Sequence, residues 1–316
     1  MKRRDFLKTS VVAGAAFGMS INGIEASLPA IHAAPDLVAV MGGDPASMLL
    51  AAIKEMGGIS SFVKKGQKIV IKPNIGWDRA PERAANTNPE LIKALITLCL
   101  SAGAAKVSVF DNTCDDWQKC YKSSGIEEAV KASGGVMLPG NNDSYYKEVT
   151  LPAGVKLKSV KIHEALLEAD AWINVPILKH HGGAKMSCAM KNYMGIVLDR
   201  RFFHSSDLQQ CIADLCSWDK KPVLNIIDAY RIMVKNGPQG RSVADVQTPK
   251  QLLASRNIVA LDAAALAVFN QFAPQKLEMA AVGHIGHGQS LKLGSTDLSK
   301  LNIQRIKLNE GASALD

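Results

Sequence analysis

The chain has 316 residues, 47% of them hydrophobic and 21% charged, with a formal net charge of +8. That balance is ordinary for a globular protein with a sizeable core, and no low-complexity segment interrupts it. The basic residues are scattered, aromatics make up only 5%, and there is no arginine-rich arm, which argues against nucleic-acid binding and for small anionic partners.

The chain opens Met1-Lys2-Arg3-Arg4-Asp5-Phe6-Leu7-Lys8, followed by a modestly apolar run from Val11 to Ile21. This pattern reads as a twin-arginine export signal. Gly14, Gly18 and Asn22 make the run too weak for a membrane span of roughly 20 apolar residues. Residues 1–33 are therefore read as a signal peptide cleaved near Ala33-Ala34, and they are excluded from fold reasoning. The expected partner during export is the twin-arginine translocase and the expected location is periplasmic. The mature chain is expected to carry no stable transmembrane segment. The route carries folded proteins, so a cofactor loaded before export is also expected.

Strand and helix signals then alternate. Leu37–Val40 reads as a strand. Asp44-Pro45 supplies an N-cap and an N1 proline for a helix over Ala46–Met56. Lys68–Lys72 is a buried-type strand. Asn88-Pro89-Glu90 opens a capped helix that ends at Gly103. A strand follows over Lys106–Asp111, with helical segments near Asp116–Lys122 and Ile126–Ala132. Residues 145–162 read as a β excursion around Leu151-Pro152-Ala153-Gly154, and 140–160 is the best position for a lobe boundary. Ala171–Val175 is a strand, followed by a long Gly- and His-containing loop. A helix is predicted over Ser206–Ser217, strands over Val223–Asp228 and Ile258–Asp262, a helix over Ala263–Phe272 and a closing strand over Leu301–Leu308. The predicted fold is α/β: mostly parallel sheet with helices on both faces, in one domain over 34–316 or in two lobes.

In open parallel sheets the ligand crevice lies outside the carboxyl ends of the strands. Here the apolar strands end in Lys72-Pro73-Asn74, Asp111-Asn112-Thr113, Lys179-His180-His181, Asp228 and Asp262. For Asp262 the simpler role is an N-cap, and for Asp228 capping and ligand binding stay equally open. The densest cluster is Lys179-His180-His181-Gly182-Gly183-Ala184-Lys185-Met186-Ser187-Cys188-Ala189-Met190-Lys191-Asn192. Its histidines suit metal ligation or proton transfer near neutral pH. Lys191 suits an anion, or acts as a nucleophile if desolvated. His181, Lys191 and Lys72 are the candidate catalytic residues. Asn74, Lys179, Asn192 and Asp228 are the candidate substrate-binding residues, and His181 and His204 the candidate metal ligands. Weaker candidates are Gly76-Trp77-Asp78-Arg79 as a lid, the turn Gly237-Pro238-Gln239-Gly240, and the glycine-flanked His284 and His287.

The six cysteines form no Cys-x-x-Cys pair and no ferredoxin spacing, so an iron–sulfur cluster held by a local motif is not expected. Most are read as buried small hydrophobes. No P-loop, Gly-x-Gly-x-x-Gly after a strand, Gly-x-Ser-x-Gly or His-Glu-x-x-His occurs.

Taken in order, Lys72-Pro73-Asn74-Ile75-Gly76, Asn88-Pro89, Lys179…His181, Lys191-Asn192-Tyr193-Met194-Gly195, and Asp228 with Gly237-Pro238 and Gly240 resemble the DUF362 family across roughly residues 37–310. The resemblance maps the family's Lys-Pro-Asn onto Lys72–Asn74 and its Lys-Asn-x-x-Gly onto Lys191–Gly195. Its Lys-Thr-His maps onto Lys179–His181, with His180 in place of the Thr. Some members carry a ferredoxin-like segment, whose cysteines this chain lacks. A fainter similarity links His181-x9-Lys191 to the His…Lys pair of nickel-pincer lactate racemases. It implies Lys191 as a cofactor attachment point and His181 as an acid–base group or ligand.

The combined expectation is an exported enzyme, dependent on a transition metal or organic cofactor, that acts on a small anionic organic substrate. Isomerase-like and oxidoreductase-associated chemistry both stay open. The rival is a non-catalytic periplasmic binding or cofactor-delivery protein using the same crevice.

Overall fold

The computed structural model describes residues 34–309, so the predicted export signal lies outside the described residues. The described residues fall in one compact unit.

The first half runs β1 (Leu37–Met41), α1 (Pro45–Glu55), β2 (Lys68–Pro73), α2 (Pro89–Ser101), β3 (Lys106–Val109), α3 (Trp117–Ser123), α4 (Ile126–Ala132) and β4 (Val136–Met137). The predicted caps are in place. Asp44 Oδ1 accepts the Ser47 N–H at 2.8 Å, and Asn88 Oδ1 accepts that of Glu90 at 3.0 Å, with a proline at the start of each helix. The β excursion is an antiparallel pair, β5 (Tyr146–Thr150) and β6 (Ser159–His163), forming its own two-stranded sheet.

The second half runs α5 (Glu164–Glu168), β7 (Ala171–Val175), β8 (Ile177–His181), β9 (Lys185–Ser187), α6 (Ala189–Asn192), α7 (Arg201–Ser205), α8 (Leu208–Cys216), β10 (Leu224–Met233), β11 (Val246–Gln247), β12 (Gln251–Ser255), α9 (Ile258–Phe272), α10 (Gly283–Ser290) and β13 (Ile303–Lys307). The main sheet has the order β13-β1-β12-β10-β7-β2-β3-β4, with β8, β9 and β11 attached to its side. Along this path β12 alone runs antiparallel to its neighbours.

Side chains alternate across the sheet because the strand period is two. Ile69, Ile71, Ile173, Val175, Leu224 and Ile226 face a core built with α1, α2 and α4. Val70, Trp172 and Ile227 face the opposite core, built with α6, α8, α9 and α10. Helices thus cover both faces, which is why β2 and β7 are buried almost throughout. Lys72 shares its face with Val70 and so projects toward α6.

Three expectations need correction. The loop after β7 is a β-hairpin, with His180 paired to Met186 and His181 to Lys185. Pro176 breaks the ladder there, and its carbonyl accepts the Asp228 N–H at 2.9 Å. The predicted strand Ile258–Asp262 is the first part of α9, capped by Asn257, whose Oδ1 accepts the Ala260 N–H at 3.0 Å. A five-residue apolar run carries no period that separates strand from buried helix. The strand that does pair there, β12, lies just before it, and β10 extends past Asp228 to Met233.

Candidate functional site

The carboxyl ends of β2, β3 and β8 converge with α6 around one crevice. Its narrow inner part, about 50 Å³, is lined by Lys72, Asn74, Lys179, His181, Lys191 and Asn192, among others. It opens into a wider part of about 790 Å³, bordered by Trp77, Met194, Pro238, Arg200 and His204.

The floor is a polar network of side chains, all buried except the half-buried Asn74. The Lys72 ammonium lies 2.8 Å from Asp111 Oδ1 and donates to Asn192 Oδ1 at 2.9 Å. Asn74 Nδ2 donates to the same oxygen at 3.2 Å. Asn192 Nδ2 donates to Asn174 Oδ1 at 2.8 Å, and Asn174 Nδ2 donates on to Asn225 Oδ1 at 2.9 Å. The other Asp111 oxygen accepts the Ile75 N–H at 2.6 Å. Lys179 donates to Asn74 Oδ1 at 2.9 Å and to the Ala85 carbonyl. Such a connected set holds its members in one arrangement.

Gly195 closes this floor. A Cβ on it would overlap Asp111 Oδ1 and the Lys72 ammonium, so only a residue without a side chain lets the backbone lie across the ion pair.

Asp262 from α9 sets the position of Lys191 and Asn192. The four-residue α6 has no capping side chain at Cys188. The Asp262 carboxylate instead accepts the N–H groups of Ala189 at 2.8 Å and Met190 at 2.9 Å, satisfying donors that a helix start leaves unpaired. Asp262 therefore caps a helix, but not its own. Burial pushes its pKa up to about 6. Beside it the buried His284 lies with Nε2 3.9 Å from Asp262 Oδ2 and Nδ1 2.6 Å from Gln209 Oε1. His284 and His287 lie on α10, and neither lines the crevice.

The electrostatics are one-sided. In the narrow part Lys72, Lys179, Lys191 and Arg200 face one carboxylate, Asp111. Arg200 is held by the carbonyls of Asn112 at 2.9 Å and Thr113 at 2.8 Å. Burial foremost, with neighbouring cations, lowers Lys179 to about 7 and Lys191 to about 8. Burial also lowers Lys72, against the opposing pull of Asp111.

His181 Nδ1 accepts the Ala184 N–H at 3.0 Å. The neutral ring therefore carries its proton on Nε2, the tautomer that donates rather than ligates. Burial, then Lys191 and Lys179, push its pKa down to about 2. His204 borders the wide part. Among the described residues no three His, Cys, Asp or Glu side chains group to hold a metal ion, while His181 and His204, the expected metal ligands, both line the wide part.

Six of the sequence-predicted residues thus meet in the crevice, and His204 borders it. Asp228 does not. Its carboxylate accepts the N–H groups of Asn88 at 2.8 Å and Tyr230 at 3.0 Å, and burial raises its pKa to about 6. It anchors the start of α2 rather than a substrate. Asp111 and Arg200 were absent from the predicted site. Asp111 at a strand end was a visible signal, whereas Arg200 had none, because its role depends on carbonyls far away in sequence. All six cysteines are free, and five are buried while Cys114 is exposed. Among the described residues no helix is long and apolar enough to cross a membrane.

A family model described as a domain of unknown function, DUF362, matches residues 69–267. The thylakoid-associated protein sll1697 of Synechocystis is 24% identical over 227 residues, 70% of this chain and 68% of that protein. Among solved structures, the lactate racemase apoprotein of Thermoanaerobacterium thermosaccharolyticum aligns with a TM-score of 0.40 at 16% identity, over 60% of this chain and 50% of that one. A Thermotoga maritima protein aligns with a TM-score of 0.39 at 14% identity, over 59% and 51%. The chain spans about half the length of these two structures.

Proposed function

The chain belongs to the DUF362 family, and from that premise we propose that it is an exported enzyme acting on a small organic anion in the crevice of Lys72, Lys179, His181 and Lys191. One observation carries the reading: four cationic side chains face a single carboxylate in a narrow pocket at the ends of parallel strands. An anion restores the charge balance that the fold leaves open.

Each group has a role in this reading. Lys179 and Arg200 hold the anionic group. The Lys72–Asp111 pair and Asn192 fix the floor. His181 Nε2–H donates to a substrate oxygen, and Lys191 takes or returns a proton close to its pKa of about 8. A cofactor loaded before export belongs to the same proposal; the wide part of the crevice is where it would lie beside Lys191.

The test is a panel of 2-hydroxy and 2-oxo acids in deuterated water, followed by NMR. Exchange of a carbon-bound proton that Lys191→Met abolishes supports the enzyme. Saturable binding without any chemical change supports the non-catalytic binding protein. Absence of binding to every acid in the panel removes the reading.

A further inference from the structure

Lys191 differs from the other crevice cations in having no hydrogen-bond or ion-pair partner of its own. Lys72 is paired with Asp111 and Asn192, Lys179 with Asn74 and Ala85, and Arg200 with two carbonyls. For Lys191 no described residue supplies such a contact, while Arg200 and Lys72 both disfavour its charge. Like Arg200, it lines both the narrow and the wide part of the crevice, at the neck between them. His181, with Nδ1 occupied by Ala184 and Nε2–H free, lines the same two parts.

A half-buried lysine crowded by other cations is an environment that turns an ammonium into an amine nucleophile toward carbonyl carbon. We infer that Lys191 forms an imine with the carbonyl group of an oxo acid whose carboxylate is held in the narrow part by Lys179 and Arg200. The inference rests on the anion-binding reading above. The narrow part, about 50 Å³, takes a carboxylate-sized group and little more. The wide part, about 790 Å³, takes the remainder of the molecule, so the carbonyl next to the carboxylate falls at the neck.

The step balances without an oxidant or reductant. The lone pair on Lys191 Nζ forms the C–N bond as the C=O π pair moves to oxygen. A proton passes from nitrogen to that oxygen, giving a carbinolamine. A second proton on the oxygen releases water as the C=N bond forms, and the proton then remaining on nitrogen can be returned to solvent. Amine plus carbonyl gives imine plus water. The His181 Nε2–H donates a hydrogen bond to the departing oxygen. The lowered pKa of Lys191 supplies unprotonated amine near neutral pH.

The test treats the full chain with 2-oxobutanoate and cyanoborohydride, which reduces imines but not ketones, and maps adducts by peptide mass. The expected result is an adduct at Lys191 forming about tenfold faster than at exposed lysines such as Lys122. Lys191→Arg, checked for native melting, should show none. Replacing 2-oxobutanoate with 2-hydroxybutanoate should give no adduct in either protein. Calorimetric binding of both acids without preferential Lys191 labelling overturns the imine and leaves the anion site standing. Absence of both binding and labelling overturns both.

Discussion

Lys72 and Asp111 form a buried ion pair at 2.8 Å, with 0% and 2% of their side chains exposed. Removing one partner leaves the other charge without its counterion in a low-dielectric site. Asp111→Asn and Lys72→Met should each cost about 3–5 kcal/mol. The double variant should be clearly more stable than the sum of the singles predicts, because it leaves no uncompensated charge. Urea unfolding of the four proteins measures this, and additive losses would show that the pair is not coupled.

Gly195 lies across that pair, so Gly195→Ala forces either its backbone or the Lys72 and Asp111 side chains to move. We expect a loss of about 1–3 kcal/mol and weakened anion binding. Gly286, inside α10, has open space where a Cβ would go. Gly286→Ala should instead gain about 0.5–1 kcal/mol through helix propensity. Thermal melts of both variants provide the comparison, and equal effects would mean that the close approach at Gly195 carries no constraint.

Asp262 gives both carboxylate oxygens to the start of α6. Asp262→Asn keeps one acceptor and turns an amide donor toward the second N–H. A loss of about 1–3 kcal/mol follows from the unsatisfied group. Because α6 carries Lys191 and Asn192, anion affinity should fall as well. Calorimetry and a melt on the same preparation test both; destabilisation with unchanged affinity would separate α6 capping from the site.

The local signals in the sequence were strong where one residue and its near neighbours decide the structure. The caps Asp44 and Asn88 hydrogen-bond within three residues, and both helices start where predicted. Lys72, Asn74 and Lys179 were legible because polar groups at the ends of apolar strands have a fixed place in a parallel sheet. Asp262 and Asp228 were not, because the backbone groups they serve are 73 and 140 residues away. Both looked like strand-end ligands or local caps, and both are buried anchors for another element. His284 was misleading for the same reason. A His pair amid glycines reads either as a metal site or as a plain mobile loop, but Gly288 lets α10 pack closely on Met190 and Val259, and the His284 ring is buried.

Export is the expectation that rests on the first residues alone. Arg3→Lys combined with Arg4→Lys keeps the charge but removes the arginine pair. If the pair is the address, this variant should accumulate as folded precursor inside the cell while the parent chain is processed and found outside the inner membrane. Fractionation with mass measurement of the N-terminus decides it, and normal processing of the variant would point to an ordinary secretory route.

The two crevice lysines make stability and ligand affinity respond to pH in opposite directions. In the fold Lys179 titrates near 7 and Lys191 near 8, against an ordinary value of 10.5. Between about pH 7 and that ordinary value the unfolded chain therefore binds more protons on these groups than the native chain does. Stability rises with pH wherever the unfolded state holds the extra protons. Their contribution is thus at its least favourable below about pH 7, where Lys179 is charged while buried and Lys191 is charged while half-buried beside other cations, and improves as the folded groups lose their protons. Anion affinity runs the other way, because the bound charge is matched only while the lysines are protonated. Affinity should be highest at about pH 6 and fall through about pH 7 to 8. Lys179→Met should flatten the pH dependence of stability relative to the parent chain and remove the lower of the two steps in affinity. Melting curves and calorimetric titrations from about pH 6 to about pH 9 measure both trends. An affinity that is flat or rises with pH would mean that neither the charge on Lys179, which holds the anion, nor the nearby charge on Lys191 contributes to binding.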